Sequence, residues 1–417
     1  MEELEQAPCK VLLLAADYGR WDAQRSLDEL AALAESAGYE VAGVLCQKRD
    51  APDNAAYLGE GRLEEARLTA ENLGVSLCIF DDELTGVQLK NTERAIEKPV
   101  IDRTMLILEI FEKRAVTSEG KYQTELARLR YRLPRLIGLG PELSRQGGGG
   151  GGGAGARRGA GESKLEYDRR YLRERITQLQ KKLEELEKRR AQTRKSRRKN
   201  GVPVVALVGY TNVGKSSLLN RLCKSEVLAQ DMLFATLDPT ARQYTLENGL
   251  EVILIDTVGF VSRLPHHLVE AFKSTLEEAK YADLILKVCD AGDPQAETQL
   301  RVTDEVLKSL GCEELPQLTV YNKCDMLRGV LFDKEAVAVS AKTGQGLDEL
   351  MRRVQAVLNG RMRPVKVLLP YEKAPLAAAL RTSGRVTAEE YRPDGIYIEG
   401  LARVEDAYQF EPYGLKE

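Results

Sequence analysis

Gly209, Tyr210, Thr211, Asn212, Val213, Gly214, Lys215 and Ser216 read GYTNVGKS, which puts two glycines, a lysine and a hydroxyl at the spacing G-x-x-x-x-G-K-[ST]. Each residue type has a task in holding a polyphosphate. The glycines let successive backbone N–H groups turn inward on phosphate oxygens at the start of a helix, and Ser217 continues that run. Lys215 adds a point charge, and the Ser216 hydroxyl reaches Mg²⁺. The bland alternative is a chance glycine turn before a helix, and the motifs that follow argue against it. This stretch alone implies a nucleoside triphosphate and leaves the base open.

Asn322, Lys323, Cys324 and Asp325 follow the strand-like run LTVY. In N-K-x-D the Asp325 carboxylate accepts from the N1–H and the exocyclic amine of guanine, which adenine does not offer, and the Lys323 stem covers the ring. Asn322 would tie this loop to the phosphate loop. Ser340, Ala341 and Lys342 resemble the loop whose backbone N–H meets the guanine O6. In this order the three motifs select GTP and GDP over adenine nucleotides.

Between them, Val252 to Ile255 form an apolar run ending in Asp256, Thr257, Val258 and Gly259, a D-x-x-G. Asp256 would hold Mg²⁺ through water, and the Gly259 N–H would sense the γ-phosphate. Upstream, FATLDPT offers Thr236 as the hydroxyl that closes over the metal, with Thr240 as the competing choice. These loops would order on the γ-phosphate and relax after hydrolysis. After Gly259, where Ras-like enzymes carry a water-orienting Gln, stands Phe260, which cannot orient a nucleophile. Turnover of the isolated chain is therefore expected to be slow. Two compensations are open: K⁺ held by Asn212 and the first switch, or a large partner that orders the loops. His266 and His267 are adjacent, so they do not share a helical face as a ligand pair.

These motifs need strands ending in loops, and the chain supplies them. It has 417 residues, enough for two to four domains, and a formal net charge of −3, so only local clusters speak about partners. Seven scattered cysteines without C-x-x-C spacing argue against a disulfide framework or a zinc site. The acidic N-terminus and the lack of long apolar runs point to a cytoplasmic protein without a membrane span. Strand-like VLLLAA, YEVAGVL and VSLCIF alternate with a helix carrying Leu27, Leu30 and Leu33, which predicts an N-terminal α/β domain over residues 1–116. In it, GEGR at Gly59 lacks a following G-K-[ST] and reads as a helix-entry turn.

Leu126, Leu129 and Leu133 predict a helix with Arg128, Arg130 and Arg132 on its exposed side. Leu172, Ile176, Leu179, Leu183 and Leu186 predict a partner helix, giving a helical hairpin over 117–199 with a glycine-rich tip at 144–163. The tip carries Arg145, Arg157 and Arg158 and is either a hinge or a phosphate-seeking finger. The second arm ends in Arg189, Arg190, Arg194, Lys195, Arg197, Arg198 and Lys199, an unbalanced cluster that favours nucleic-acid backbone. Residues 200–360 read as an α/β P-loop domain. Residues 361–417, with VKVLLP, an Ala-rich helix and a hairpin at RPDG, read as a small α+β domain.

GYTNVGKS, FATLDPT, DTVGF, NKCD and SAK, together with DRTMLILEIFEKRAVTSEGKYQTELARLRYRLPRL and GESKLEYDRRYLRERI upstream, resemble the HflX GTPases over nearly the whole chain. That resemblance implies a GTPase of the translation-factor-related class with an apolar residue in place of the catalytic Gln. It also implies binding to the large ribosomal subunit and splitting of stalled or stressed ribosomes, with hydrolysis stimulated by ribosomal particles. The hairpin tip would reach toward the peptidyl-transferase region. In the tip this chain departs from the family pattern, with Ala160 where Pro is expected and Ser163 where Thr is. Lys215, Thr236, Gly259 and Asn212 are the candidates for catalysis, and Ser216, Thr236 and Asp256 for metal. The expected state is a monomer. The alternative function is a GTPase that regulates ribosome assembly or RNA modification without splitting.

Overall fold

The computed structural model describes residues 9–137, 156–199, 201–224, 233–234, 237–263, 268, 273–326, 335–360 and 362–415. Thr236, His266, His267 and Arg145 lie outside them, as do the side chains of Arg157, Arg158, Arg197, Arg198 and Lys199. The chain divides into two compact units.

The first unit runs from the N-terminus to Glu185 and also takes in the segments Asp231–Leu237 and Ser262–Phe272. Its sheet is built from β1 (Lys10–Asp17), β2 (Glu40–Lys48), β3 (Leu77–Phe80) and β4 (Val100–Asp102) in the order β2-β1-β3-β4, with every pair parallel. Parallel strands need crossovers, and α1 (Ala23–Ser36), α2 (Glu60–Asn72) and α3 (Gly86–Ile96) provide them. Their start signals are explicit in sequence. Asp22 caps α1 by accepting from Arg25 N, and Thr85 and Gln88 close a capping box on α3. Gly59 is the N-cap of α2, so GEGR opens a helix here. Leu12, Leu14, Cys78 and Phe80 from the strands pack with Leu63, Ala66 and Ile96 in the core.

α4 (Arg103–Arg114) follows β4 directly, with Asp102 capping it through Met105 N. Arg103 is buried and pairs with Asp81 at 2.8 Å and Glu29 at 3.0 Å. Arg263, from the segment after D-T-V-G, also belongs to this unit; it pairs with Asp82 at 2.9 Å, contacts Asp81 and lies over the Trp21 ring.

Two long helices complete the unit. They are α5 (Ser118–Ile137) and the part of the 44-residue α6 (Ala156–Lys199) up to Glu185. Arg175 grips Glu125 with two hydrogen bonds of 2.7 and 2.9 Å, and Lys182 covers the Tyr122 ring. Leu179 of α6 is fully buried. α6 begins at Ala156, so part of the stretch expected to be a glycine-rich tip is helical. Continuing an established helix adds a hydrogen bond per residue without a new nucleus, and that gain does not require burial.

The second unit holds a six-stranded sheet of order β10-β9-β8-β5-β7-β6. Its strands are β5 (Val204–Gly209), β6 (Thr240–Thr245), β7 (Glu251–Asp256), β8 (Leu284–Asp290), β9 (Gln317–Asn322) and β10 (Val337–Ala338). All neighbours are parallel except β6 against β7. The helices are α7 (Lys215–Cys223), α8 (Lys273–Lys280), α9 (Ala296–Ser309) and α10 (Leu347–Asn359). β5 and β8 are almost entirely buried, as their continuous apolar runs require of strands covered on both faces.

The same unit ends in an antiparallel sheet, β11 (Met362–Leu369), β12 (Arg385–Arg392) and β13 (Gly395–Arg403), in the order β11-β13-β12. α11 (Ala374–Ser383) packs Ala377 and Leu380 onto Val367, Ile396 and Ile398.

Candidate nucleotide-binding site

β5, β7, β8 and β9 are parallel, so the loops after them gather at one edge of the sheet, where open α/β sheets bind ligands. The phosphate loop joins β5 to α7. Gly214 is the α7 N-cap at φ 87°, and a Cβ there would fall 2.4 Å from Asn322 Nδ2. Glycine is thus required twice, by its left-handed backbone and by the close approach of the N-K-C-D loop. Asn212, exposed, is also left-handed at φ 60°, while Thr211, Val213 and Tyr210 are buried.

Lys215 is almost wholly buried and donates to Gly209 O at 3.1 Å and Tyr210 O at 2.8 Å. Burial pulls its ammonium down to about 8, with the Asp256 charge acting in the opposite sense. Ser216 Oγ donates to Asp256 Oδ2 at 2.6 Å, so a hydroxyl and a carboxylate meet at the helix start. Two hard oxygen donors beside a phosphate loop fit Mg²⁺. Asp256 itself is fully buried, and Thr257 Oγ1 donates to Leu207 O at 2.7 Å, locking the end of β7 against β5.

Gly259 lies so close to the phosphate loop that a Cβ would fall 2.8 Å from Thr211 Cα and 2.9 Å from Lys215 Nζ. The next residue is fixed by backbone: Phe260 N donates to Gly209 O, and Thr211 N donates to Phe260 O at 2.7 Å. The Phe260 ring is buried at 2% exposure, so it serves packing and offers nothing to a nucleophile. Thr240 begins β6 opposite Asp256.

The N-K-C-D and S-A-K loops are joined by side chains. Asn322, buried, donates from Nδ2 to Val213 O at 2.8 Å and accepts at Oδ1 from Ala341 N at 3.0 Å. It therefore holds the phosphate loop and the S-A-K loop together. Ser340 Oγ donates to Asp325 Oδ1 at 2.6 Å, and this bond keeps the exposed carboxylate below its ordinary pKa. Lys342 is exposed beside them. Lys323 takes a left-handed backbone at φ 62° and pairs with Asp290 at 2.8 Å. Asp290 lies in no motif and so leaves no mark in the sequence; it reaches Lys323 only because β8 pairs with β9.

The phosphate loop, the D-T-V-G turn and the N-K-C-D and S-A-K loops, gathered at the ends of the parallel strands β5, β7, β8 and β9, define a P-loop GTPase. Profile matches extend that class along the chain: "GTP-binding GTPase N-terminal" over 24–112, "GTP-binding GTPase Middle Region" over 114–197, "50S ribosome-binding GTPase" over 204–323 and "HflX C-terminal domain" over 325–405. The chain is 49% identical to the GTPase HflX of Caldanaerobacter subterraneus subsp. tengcongensis, covering 96% of this chain and 92% of the relative. It is 42% identical to the GTPase HflX of Escherichia coli (strain K12), covering 88% and 87% respectively. Among solved structures, a complex of SsGBP with GDP is similar at 26% identity and a TM-score of 0.49, covering 84% of this chain and 98% of that one. The chain belongs to the HflX family of GTPases. Among the described residues no helix is long and apolar enough to cross a membrane.

Proposed function

We propose that this GTPase binds the large ribosomal subunit in its GTP state, in the cytoplasm, and dissociates stalled or stressed ribosomes, with hydrolysis accelerated by the ribosome. The observation that carries the reading is the buried Phe260 in a chain whose sequence carries the G-Y-T-N-V-G-K-S, D-T-V-G and N-K-C-D motifs. A GTPase whose own residue at that position cannot orient water needs outside help to turn over quickly. The matched description "50S ribosome-binding GTPase" names a partner of the right kind. The exposed Arg189 and Lys195 near the end of α6 offer charge to a phosphate backbone.

In this reading Lys215 and the backbone of Gly209 to Ser217 hold the triphosphate, and the Gly259 N–H reports on its last phosphate. Ser216 and Asp256 would hold Mg²⁺, with Thr236 or Thr240 joining them, and the ion when bound would neutralise phosphate charge. Asn212 is the side chain in place for K⁺. Asp325, Lys323 and Ala341 N–H read guanine, while Asn322, Ser340 and Lys342 hold or flank that loop. The protein would work as a monomer.

The test is GTP hydrolysis with and without purified large subunits, paired with co-sedimentation. We expect a rate increase of an order of magnitude or more, and pelleting with subunits in the presence of a non-hydrolysable GTP analogue. An unchanged rate without co-sedimentation would sink the proposal. Light scattering of intact ribosomes separates splitting from a role in assembly or RNA modification, because only splitting lowers the signal.

A further inference from the structure

Asp290 stands at the end of β8, opposite Asn322 in the register of β8 and β9. Both of its carboxylate oxygens are engaged. Oδ1 accepts from Gly292 N at 2.9 Å, closing the turn after β8, and Oδ2 lies 2.8 Å from Lys323 Nζ. The backbone repeats the connection, since Ala291 N donates to Asn322 O at 2.8 Å. Met326, on the other side of the N-K-C-D turn, has its Cβ about 4.0 Å from where a Gly292 Cβ would stand.

Lys323 is the unusual partner. It is a long side chain on a left-handed backbone at φ 62°, a conformation that persists in a non-glycine residue only where the surroundings hold it. Asn322 fixes the residue before it, through Val213 O and Ala341 N. Asp290 fixes the far end of the side chain. A lysine held at both backbone and ammonium has its four-carbon stem laid out between two fixed points, with most of its rotamer entropy already lost before a ligand arrives. The pair is partly exposed, 30% for Lys323 and 21% for Asp290, so its direct effect on folding is small. Its effect falls on where the stem lies.

We propose that Asp290 is a positioning residue for guanine binding: by holding the Lys323 ammonium it presets the lysine stem as the wall against which the base lies. This rests on the reading of N-K-C-D as the guanine site. Because Asp290 acts on the stem and not on the hydrogen-bonding edge of the base, its loss should speed dissociation of guanine nucleotides without altering the choice of base.

The experiment follows dissociation of a fluorescent N-methylanthraniloyl-GDP from full-length protein by stopped flow. Asp290→Asn keeps an oxygen for Gly292 N and removes the charge that holds Lys323, and it should raise the off-rate about fivefold, the scale of a partly exposed ion pair. Asp290→Ala should do at least as much. In a Lys323→Ala background neither change should have a further effect. An Asp290→Asn off-rate equal to wild type, or effects that add to those of Lys323→Ala, would overturn the proposal, because Asp290 would then act only through its turn. Asp325→Asn is the control for the underlying reading: it should shift binding from GDP toward xanthosine diphosphate. If it does not, the guanine-site reading fails; if it does while Asp290→Asn is silent, only the role of Asp290 fails.

Discussion

At the scale of single residues, Lys215 carries the clearest pH signature. Burial lowers its pKa from the ordinary lysine value of 10.5 to about 8 in the folded chain. Below about pH 8 the ammonium is protonated in both folded and unfolded chains, and its desolvation cost opposes folding in full. As pH rises from 8 toward 10.5 the folded chain releases that proton first, so the cost is relieved and this group's contribution to stability grows. Nucleotide affinity should move the other way. Phosphate oxygens favour the ammonium, so above pH 8 binding must take up a proton. We expect GDP affinity to be flat from about pH 7 to 8 and to fall by up to about tenfold per unit above it. Calorimetry at about pH 8.5 in two buffers of different ionisation enthalpy should register proton uptake; equal apparent enthalpies would count against this origin. Gly259 gives a second prediction. Gly259→Ala forces a methyl against Thr211 Cα and Lys215 Nζ, and backbone cannot give way as a flexible side-chain end can. GTP hydrolysis should drop roughly tenfold or more under partner-stimulated conditions, as expected when a positioned backbone donor is displaced, and retained stimulation would show that the loop relaxes around the methyl.

At the scale of elements, buried charge holds the N-terminal sheet to its helices. Arg103 opens α4, yet its guanidinium reaches Asp81 at the end of β3 and Glu29 on α1, with 3% of its side chain exposed. Removing Arg103 takes a cation from two buried carboxylates, and although Arg263 still contacts Asp81, losing one member of a buried ionic group costs up to about 3–5 kcal/mol. Arg103→Ala should therefore raise amide exchange across β3 and α1 by orders of magnitude, with β5 in the same molecule as the reference; protection equal to wild type in β3 would refute the assignment. None of this is readable from sequence, where Arg103 is one arginine among many. What is legible has a local signal. Leu27, Leu30 and Leu33 announce α1 by their spacing, and Val204 to Val208 announce a buried strand. The G-Y-T-N-V-G-K-S, D-T-V-G and N-K-C-D motifs are legible because each is a contiguous run with fixed spacing. Asp290 depends on which strand lies beside β9, and the reversed direction of β6 depends on tertiary pairing, so neither leaves a mark in a short window. The start of α6 at Ala156 departs from the expected tip for a related reason, because glycine content speaks to intrinsic propensity while a long helix propagates through weak formers.

At the scale of the whole molecule, the basic end of α6 divides into residues that hold the fold and residues that face outward. The unbalanced charge of this run suggests one uniform surface for nucleic acid, but the side chains differ. Arg194 is only 14% exposed, lies 3.6 Å from Glu278 and stacks on the Tyr281 ring at 4.2 Å, so its charge is committed to α8 and the turn after it. Arg189 and Lys195 are exposed. A phosphate backbone can recruit the outward pair cheaply, whereas Arg194 would first have to leave a carboxylate and an aromatic face. Replacing Arg189 and Lys195 together with Glu should weaken association with large subunits and lower the slope of log K against log salt by about 0.7–0.9 for each phosphate no longer neutralised. The folded chain and its nucleotide affinity should be retained. Arg194→Ala should do the reverse, leaving the salt slope near wild type while loosening α8. Sedimentation binding over a salt series with each variant distinguishes the two. If Arg194→Ala lowers the slope as much as the outward pair does, then binding pulls Arg194 away from Glu278, and the division drawn from the free chain does not survive in the complex.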